Sequence, residues 1–254
     1  MRFFLPHYLF CIALGWTVNA KCDRVAPDIA GRWAVRTVAS QVIDVPMIGD
    51  VVSESHALVL LRVRQRGKAL SIKQKLCSLR VDMSSQSIRM AVPRKFTRAV
   101  RWDSYSAEIV WEDSRWMFKR APIVRIYGAA LAQPKTEPLP VRTDDPRVRD
   151  LDKDGKPGVT FSVSGLVTGR IYAVTRDISA LSGTIATDGK SIRGLIDLRR
   201  ERKVLSASTP LLGASPLSRP HPDAERSTFI MVKVSKAVGC KQVRATAEHL
   251  FKMN

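Results

Sequence analysis

The sequence predicts an all-β fold, an antiparallel barrel or sandwich with one or two short helices, on three observations. Apolar residues recur at every second position through most of the chain. Glycine-containing pairs, Arg66-Gly67 and Asp188-Gly189, fall between such segments. Helical periodicity is confined to two short stretches. With 45% apolar residues the chain is too hydrophobic for a disordered basic tail, and four cysteines in 254 residues are too few for a disulfide scaffold. A globular protein is left.

Residues 1–20 have the organisation of a secretory signal: Arg2, an uncharged run over 9–16, then Val18-Asn19-Ala20 as a small-residue cleavage pattern. The run is too short to span a membrane, and no later stretch reaches ~18 uninterrupted apolar residues. Lys21 before Cys22 and Phe10 before Cys11 are not the small residue a lipoprotein signal requires. Export to the periplasm or the outside of a cell is expected, with residues 21–254 as one β-rich domain. Without Arg2 the chain keeps 41 of its 42 basic residues against 23 acidic ones, so its formal charge falls from +19 to +18. Cys22, Cys77 and Cys240 remain, and an oxidising compartment permits three pairings. Cys77–Cys240 is the expected disulfide, because both lie in or beside apolar strand-like segments while Cys22 sits in a terminus.

In chain order, Gly31-Arg32-Trp33 opens the first strand. Segments 57–65 and 68–77 flank the Arg66-Gly67 turn. Leu70, Ile72 and Leu76 share one parity, whereas Leu79, Val81 and Met83 share the other, and a bulge near Cys77-Ser78 reconciles them. Pro93, with Phe96, Ala99 and Val100 behind it, predicts a short helix with proline in its first turn. Phe161 to Ser164 alternate strictly. Segments 180–187 and 190–198 flank Asp188-Gly189, read as a type I′ hairpin turn, and place Ile192, Gly194, Ile196 and Leu198 on one face. Ile230, Val232 and Val234 repeat the pattern opposite Met231 and Lys233, and 242–252 is the second helix. About eight to ten strands result. Four prolines in 133–146 and four in 209–224 make these segments loops. The Pro/Asp-rich stretch 133–158 could divide the domain, but a Cys77–Cys240 bond favours one closed unit.

The densest chemistry is Asp150-Leu151-Asp152-Lys153-Asp154-Gly155. Alternate aspartates on an irregular segment turn three carboxylates toward one centre, and Gly155 permits the sharp turn that follows. The motif resembles the front half of an EF-hand loop, and with Asp144-Asp145-Pro146 before it and Lys156-Pro157-Gly158 after it is similar to the calcium loops of thrombospondin type 3 and dockerin-like repeats. The resemblance covers about a dozen residues and implies Ca²⁺ held by Asp150, Asp152, Asp154 and the Lys156 carbonyl. Position 12 is Phe161, where an EF-hand carries glutamate, so a complete EF-hand is not expected. A weak or structural site of ~10⁻⁴–10⁻³ M is. Gly31-Arg32-Trp33 also resembles the G-x-W signature of lipocalins, which implies an eight-stranded barrel with the tryptophan closing one end and a cavity for an apolar ligand.

No G-x-S-x-G elbow, P-loop or H-E-x-x-H motif is present. Glu108, Glu112 and Asp113 near Trp111 and Trp116 read as solvated strand-face charges rather than a glycan-cleaving pair. The basic excess is expected on exposed faces: Arg62, Arg64, Lys73 and Lys75 on two neighbouring strands as an anion-binding group, and Arg193, Arg199, Arg200, Arg202 and Lys203 further along. Anionic lipid, lipopolysaccharide or polyanionic glycan are the partners such faces suit, and export disfavours specific nucleic-acid binding. The sequence thus predicts an exported, non-enzymatic binding or structural protein, with a secreted glycan- or lipid-acting hydrolase as the competing class.

Overall fold

A computed structural model describes residues 25–45 and 48–252. The expected signal segment and Cys22 lie outside the described residues. The elements are β1 (Gly31–Val45), β2 (Gly49–Arg66), β3 (Ala69–Met83), β4 (Ile88–Ala91), α1 (Arg94–Ala99), β5 (Asp103–Glu112), β6 (Arg115–Tyr127), β7 (Val159–Gly165), β8 (Gly169–Ile185), β9 (Ser191–Ala207), β10 (Ser218–Pro220), β11 (Thr228–Val234) and α2 (Cys240–Lys252). The order β8-β6-β5-β3-β2-β1-β11-β9 returns to β8 through the β8–β9 ladder, which makes a barrel-like ring of eight antiparallel strands. With β4, β7 and β10 set aside, neighbours in the ring are consecutive in sequence except β1 and β11, the first and last strands, whose pairing joins the two ends of the chain. Short turns between antiparallel strands allow no crossing connection, so an up-and-down order follows. Closure is uneven: β1 pairs with β2 along its whole length, whereas β11 meets β9 only over Thr228–Val232.

Alternation turns one side chain of every pair into the ring. At one end Trp33, Ile72, Ile109, Phe118 and Ile192 are fully buried in a common cluster, and Trp33 donates its indole N–H to the Ile29 carbonyl at 2.9 Å. Burying an aliphatic or phenyl side chain of this kind contributes roughly 1.5–3 kcal/mol. The other end is closed by Phe96 of α1 with Val159, Phe161 and Val163 of β7. Outside the ring, α2 lays Val243 and Phe251 over Ala34, Leu60, Ile230 and Val232. Its first residue, Cys240, is bonded to Cys77 of β3.

In the local structure one expectation holds and others are corrected. The register between β2 and β3 skips at Leu58/Val59, with Ser78 and Leu76 as their partners, so Cys77 is the extra residue of the expected bulge. The Asp188-Gly189 turn is wider than a type I′ hairpin. Ile185 and Ile192 are the last pair, and only Gly189 of the two central residues has a positive φ, of 65°. Asp188 instead accepts the Lys190 N–H at 2.9 Å, a local bond that competes with the tight turn. The left-handed pair that a type I′ turn needs occurs at Asp113 and Ser114, with φ of 47° and 59°, between paired Glu112 and Arg115. On β11 both faces are buried: Phe229 and Met231 enter the ring, and Ile230 and Val232 meet α2. The loop 209–224 contains a strand after all, since β10 pairs with Gln41 to Ile43 of β1.

Candidate functional site

Residues 128–158 leave the sheet after β6 and return to it as β7, and both strands pair with β8, at Thr175 and Ala173 respectively. The two ends of the excursion touch. A side chain on Gly158 would lie 2.5 Å from the Ala173 carbonyl oxygen and one on Gly128 2.8 Å from Gly158, and both glycines have φ above 80°. Only glycine fits such a neck. The excursion is fastened further out by Arg147, which binds Glu137 at 2.7 Å and Asp145 at 2.6 Å, and by Arg176 of β8, which donates to the Glu137 carbonyl. The Arg147 guanidinium holds the Asp145 carboxyl down at about 2.

Asp150, Asp152 and Asp154 lie at the base of the excursion, each offering an oxygen within 4.8 Å of the others. Asp150 accepts the N–H groups of Asp154 at 3.2 Å and Gly155 at 2.9 Å, a wrap permitted by the left-handed φ of Lys153 (55°) and Gly155 (81°). Asp154 accepts the Lys156 N–H at 3.0 Å and the Thr160 hydroxyl at 2.7 Å. Asp152 is different. It is 4% exposed, accepts the Thr160 N–H through Oδ2 at 3.2 Å, and leaves Oδ1 buried with no hydrogen-bond partner among the described residues. Burial, and then the Asp154 and Asp150 charges, hold its carboxyl above the usual range. An orphaned carboxylate oxygen facing two more carboxylates is unfavourable unless a cation joins them. The three aspartates can therefore hold a metal ion. Lys156 is fixed through its N–H, and its ammonium lies 6.0 Å from the Tyr172 ring centre.

The expected anion-binding residues Arg62, Arg64 and Lys73 are exposed on the outer face of β2 and β3, where Arg62 pairs across to Arg32 on one side and Lys73 on the other. Arg62 also stacks on Trp102 at 4.8 Å. Lys75 is not free, since it donates to the Val100 carbonyl. Glu108 and Asp113 are exposed on the β5–β6 hairpin, and Glu112 is ion-paired to Lys119 at 2.5 Å.

The second basic group is not where the sequence places it. Arg193, Arg199 and Lys203 point outward, but Arg200 and Arg202 line a cavity of about 180 Å³ inside the ring, together with Arg120 and Arg125 of β6. The register aligns them. Arg125, Asp177 and Arg200 are direct neighbours across β6, β8 and β9, and Tyr127, Thr175 and Arg202 form the adjoining row. Across the ring, β1, β2 and β3 contribute Val35, Ala57, Val59, Leu76, Leu79 and Val81. The cavity thus has one arginine-rich wall and one mainly apolar wall that also carries Thr37, Ser55 and Gln74.

Two of the four cations have carboxylates. Arg200 grips Asp177 at 2.7 and 2.8 Å and reaches Ser55 at 3.1 Å, and Arg125 binds Asp103 at 2.8 Å. Arg120 is 5% exposed, donates to the carbonyl and hydroxyl of Ser179, both at 2.7 Å, and lies beside Tyr105, with which it also shares a side-chain hydrogen bond. Arg202 lies 4.4 Å from the Phe161 ring centre and 3.6 Å from the Met90 sulfur. Burial pulls the ionisations of Arg120 and Arg202 down to about 10, and for Arg202 the nearby Arg200 charge adds to this. Burial also lifts Tyr127 to about 12. Arg120 Nε, Arg125 Nη2, Arg202 Nε and Thr175 Oγ1 are buried with no hydrogen-bond partner among the described residues.

The signal for this wall lay in the parity already noted. Arg200 and Arg202 continue the face of Ile192, Gly194, Ile196 and Leu198 by the same step of two. Compared with family models, with curated proteins and with solved structures, the chain matches none.

Proposed function

We propose that the chain is an exported, non-catalytic barrel protein that binds a small, largely apolar molecule inside its ring, with a Ca²⁺-stabilised loop at the entry to β7. One observation carries this reading: eight strands enclose a cavity of about 180 Å³ with a mainly apolar wall from β1, β2 and β3. That volume is of the order of an engineered apolar cavity of ~150 Å³ that takes up benzene. Closed small barrels hold one small ligand in this position.

Ca²⁺ suits Asp150, Asp152 and Asp154 because all donors are hard oxygens, and it would neutralise the orphaned Asp152 Oδ1. The Lys156 carbonyl is the fourth ligand of the proposal. The metal would then brace Thr160, whose N–H and hydroxyl already bind Asp152 and Asp154. On the outside, exposed Arg62, Arg64 and Lys73 suit the anionic lipid, lipopolysaccharide or glycan of a cell envelope, at about 1 kcal/mol per cation near an anionic surface.

Calorimetric titration tests both parts. With 1-octanol and octanoate the expected result is saturation at one molecule per chain, and binding of neither overturns the cavity reading. With Ca²⁺ a dissociation constant of ~10⁻⁴–10⁻³ M is expected, lost in Asp152→Ala. No heat from the unaltered protein overturns the metal reading.

A further inference from the structure

We infer that the ligand of the barrel cavity is an amphiphilic anion, a single carboxylate or phosphate headgroup seated against Arg202 and Thr175 with its apolar tail along the β1–β3 wall. This rests on the cavity reading above and names the ligand class for it.

The inference starts from charge. Four arginines line the cavity, and the carboxylates facing them are Asp177 and Asp103, both already engaged by Arg200 and Arg125. Arg120 and Arg202 have no carboxylate partner among the described residues, in a cavity flanked by the Trp33 cluster toward one end and by Phe96 and Phe161 toward the other. A guanidinium tolerates burial only when its donors are satisfied. Here Arg120 Nε, Arg125 Nη2 and Arg202 Nε are not, and the buried hydroxyl of Thr175, the direct neighbour of Arg202, is also unpaired among the described residues.

Geometry supplies the second step. Asp177 sits between Arg125 and Arg200 in register, and the next row places Thr175 between Tyr127 and Arg202. The second row has the donors of the first without its carboxylate. A headgroup oxygen at that place would accept from Arg202 and Thr175 as Asp177 accepts from Arg200. An uncharged ligand would leave the donors as they are, and a cationic one would add repulsion. Walls that differ across the ring then fix the orientation of the tail.

Arginine pairs with carboxylate or phosphate through charge-assisted hydrogen bonds, and the two headgroups are separated by experiment. Purified protein is titrated with octanoate, octyl phosphate, 1-octanol and octylamine, which share a tail and differ in charge. At least one of the two anions should bind about 10- to 100-fold more tightly than 1-octanol, and octylamine more weakly than either; which anion binds better identifies the headgroup. In Arg202→Met the preference should shrink about tenfold while 1-octanol affinity holds. If 1-octanol binds as tightly as both anions, the inference is overturned and the cavity reading survives. If no member of the series binds, both fall. Retention of the full anion preference in a folded Arg202→Met overturns the placement of the headgroup. The ligand series on the unaltered protein decides the charge question even if that variant does not fold.

Discussion

The aspartate loop and the arginine wall are two places, among the described residues, where charge is buried with polar atoms left unpaired. In the loop, three like charges come from five consecutive residues, and the N–H groups of Asp154, Gly155, Lys156 and Thr160 with the Thr160 hydroxyl satisfy all but one of the carboxylate oxygens. In the wall, four like charges come from β6 and β9, strands more than seventy residues apart, and β8 between them supplies one carboxylate. The loop is a local object that folds around its own backbone, whereas the wall exists only when the ring has closed. Loss of a neighbour should therefore cost much in the wall and little in the loop.

The largest effect is expected from Asp177→Asn. Its side chain is 15% exposed and that of Arg200 16%, and breaking a buried pair from one side costs about 3–5 kcal/mol because the other charge stays behind. Urea unfolding should report a loss of that order. Arg202→Met, two residues along β9, should do the opposite and leave stability within about 1 kcal/mol of the parent or raise it, because it removes a buried cation that lacks a counter-ion. Equal losses in the two variants would show that side-chain volume, and not charge, governs the wall.

Next comes the neck that joins the two regions. Gly158→Ala puts a Cβ 2.5 Å from the Ala173 carbonyl at a φ of 82°, and the left-handed backbone alone costs roughly 1–2 kcal/mol. A loss of about 2–3 kcal/mol in chemical denaturation is expected, with β7 torn from β8 first. That order is readable as early loss of amide protection at Phe161, which pairs with Ile171.

How far each region could be read from the sequence follows from the same contrast. Three aspartates at alternate positions announce themselves, and the bulge that places Cys77 on the outer face beside Cys240 was visible as a change of parity. The wall was legible in half. Arg200 and Arg202 share the parity of Ile196 and Leu198, and charge was nonetheless taken as a mark of the surface. Arg120 and Arg125 could not be assigned in this way, because the register skips between Arg120 and Ile123 and reverses the parity between them. Asp177 and Arg200 face each other across the β8–β9 hairpin, whose turn the sequence marks at Asp188-Gly189, but the 180–187 segment read from the alternation stops short of Asp177 and so hides the pair. The turns misled for a local reason: Asp188 spends its carboxylate on the Lys190 N–H, while Asp113-Ser114 adopts two left-handed residues without a glycine.

Asp152→Asn should sharpen the comparison from the side of the loop. Without metal it removes a buried like charge and should change stability by less than about 1 kcal/mol, in contrast with Asp177→Asn. With 5 mM Ca²⁺, chosen on the order of five times the upper expected dissociation constant, the parent should gain about 1 kcal/mol by mass action and the variant nothing. Thermal unfolding with and without Ca²⁺ reads both. A Ca²⁺ response that survives Asp152→Asn would place the ion elsewhere.

The smallest effect is expected at the outer clasp of the excursion, and its sign follows from the direction of one ionisation. Arg147 holds Asp145 at about 2, below the ordinary 3.8. A carboxylate depressed in the folded state contributes stability above the unfolded value and loses it as the pH falls through the folded one. The clasp should therefore be whole at pH 4 and open near pH 2. Because Asp145 accepts the Arg147 backbone N–H at 2.9 Å, that amide reports the event, and its ¹H–¹⁵N shift should titrate with a midpoint near 2. In Arg147→Met the midpoint should move up toward 3.8, read on the same residue's amide, while the resonance of Thr175 in the wall stays unmoved across the range. A midpoint near 3.8 in the parent would mean that the clasp is open in solution and that the glycine neck and Arg176 on the Glu137 carbonyl hold the excursion to the ring.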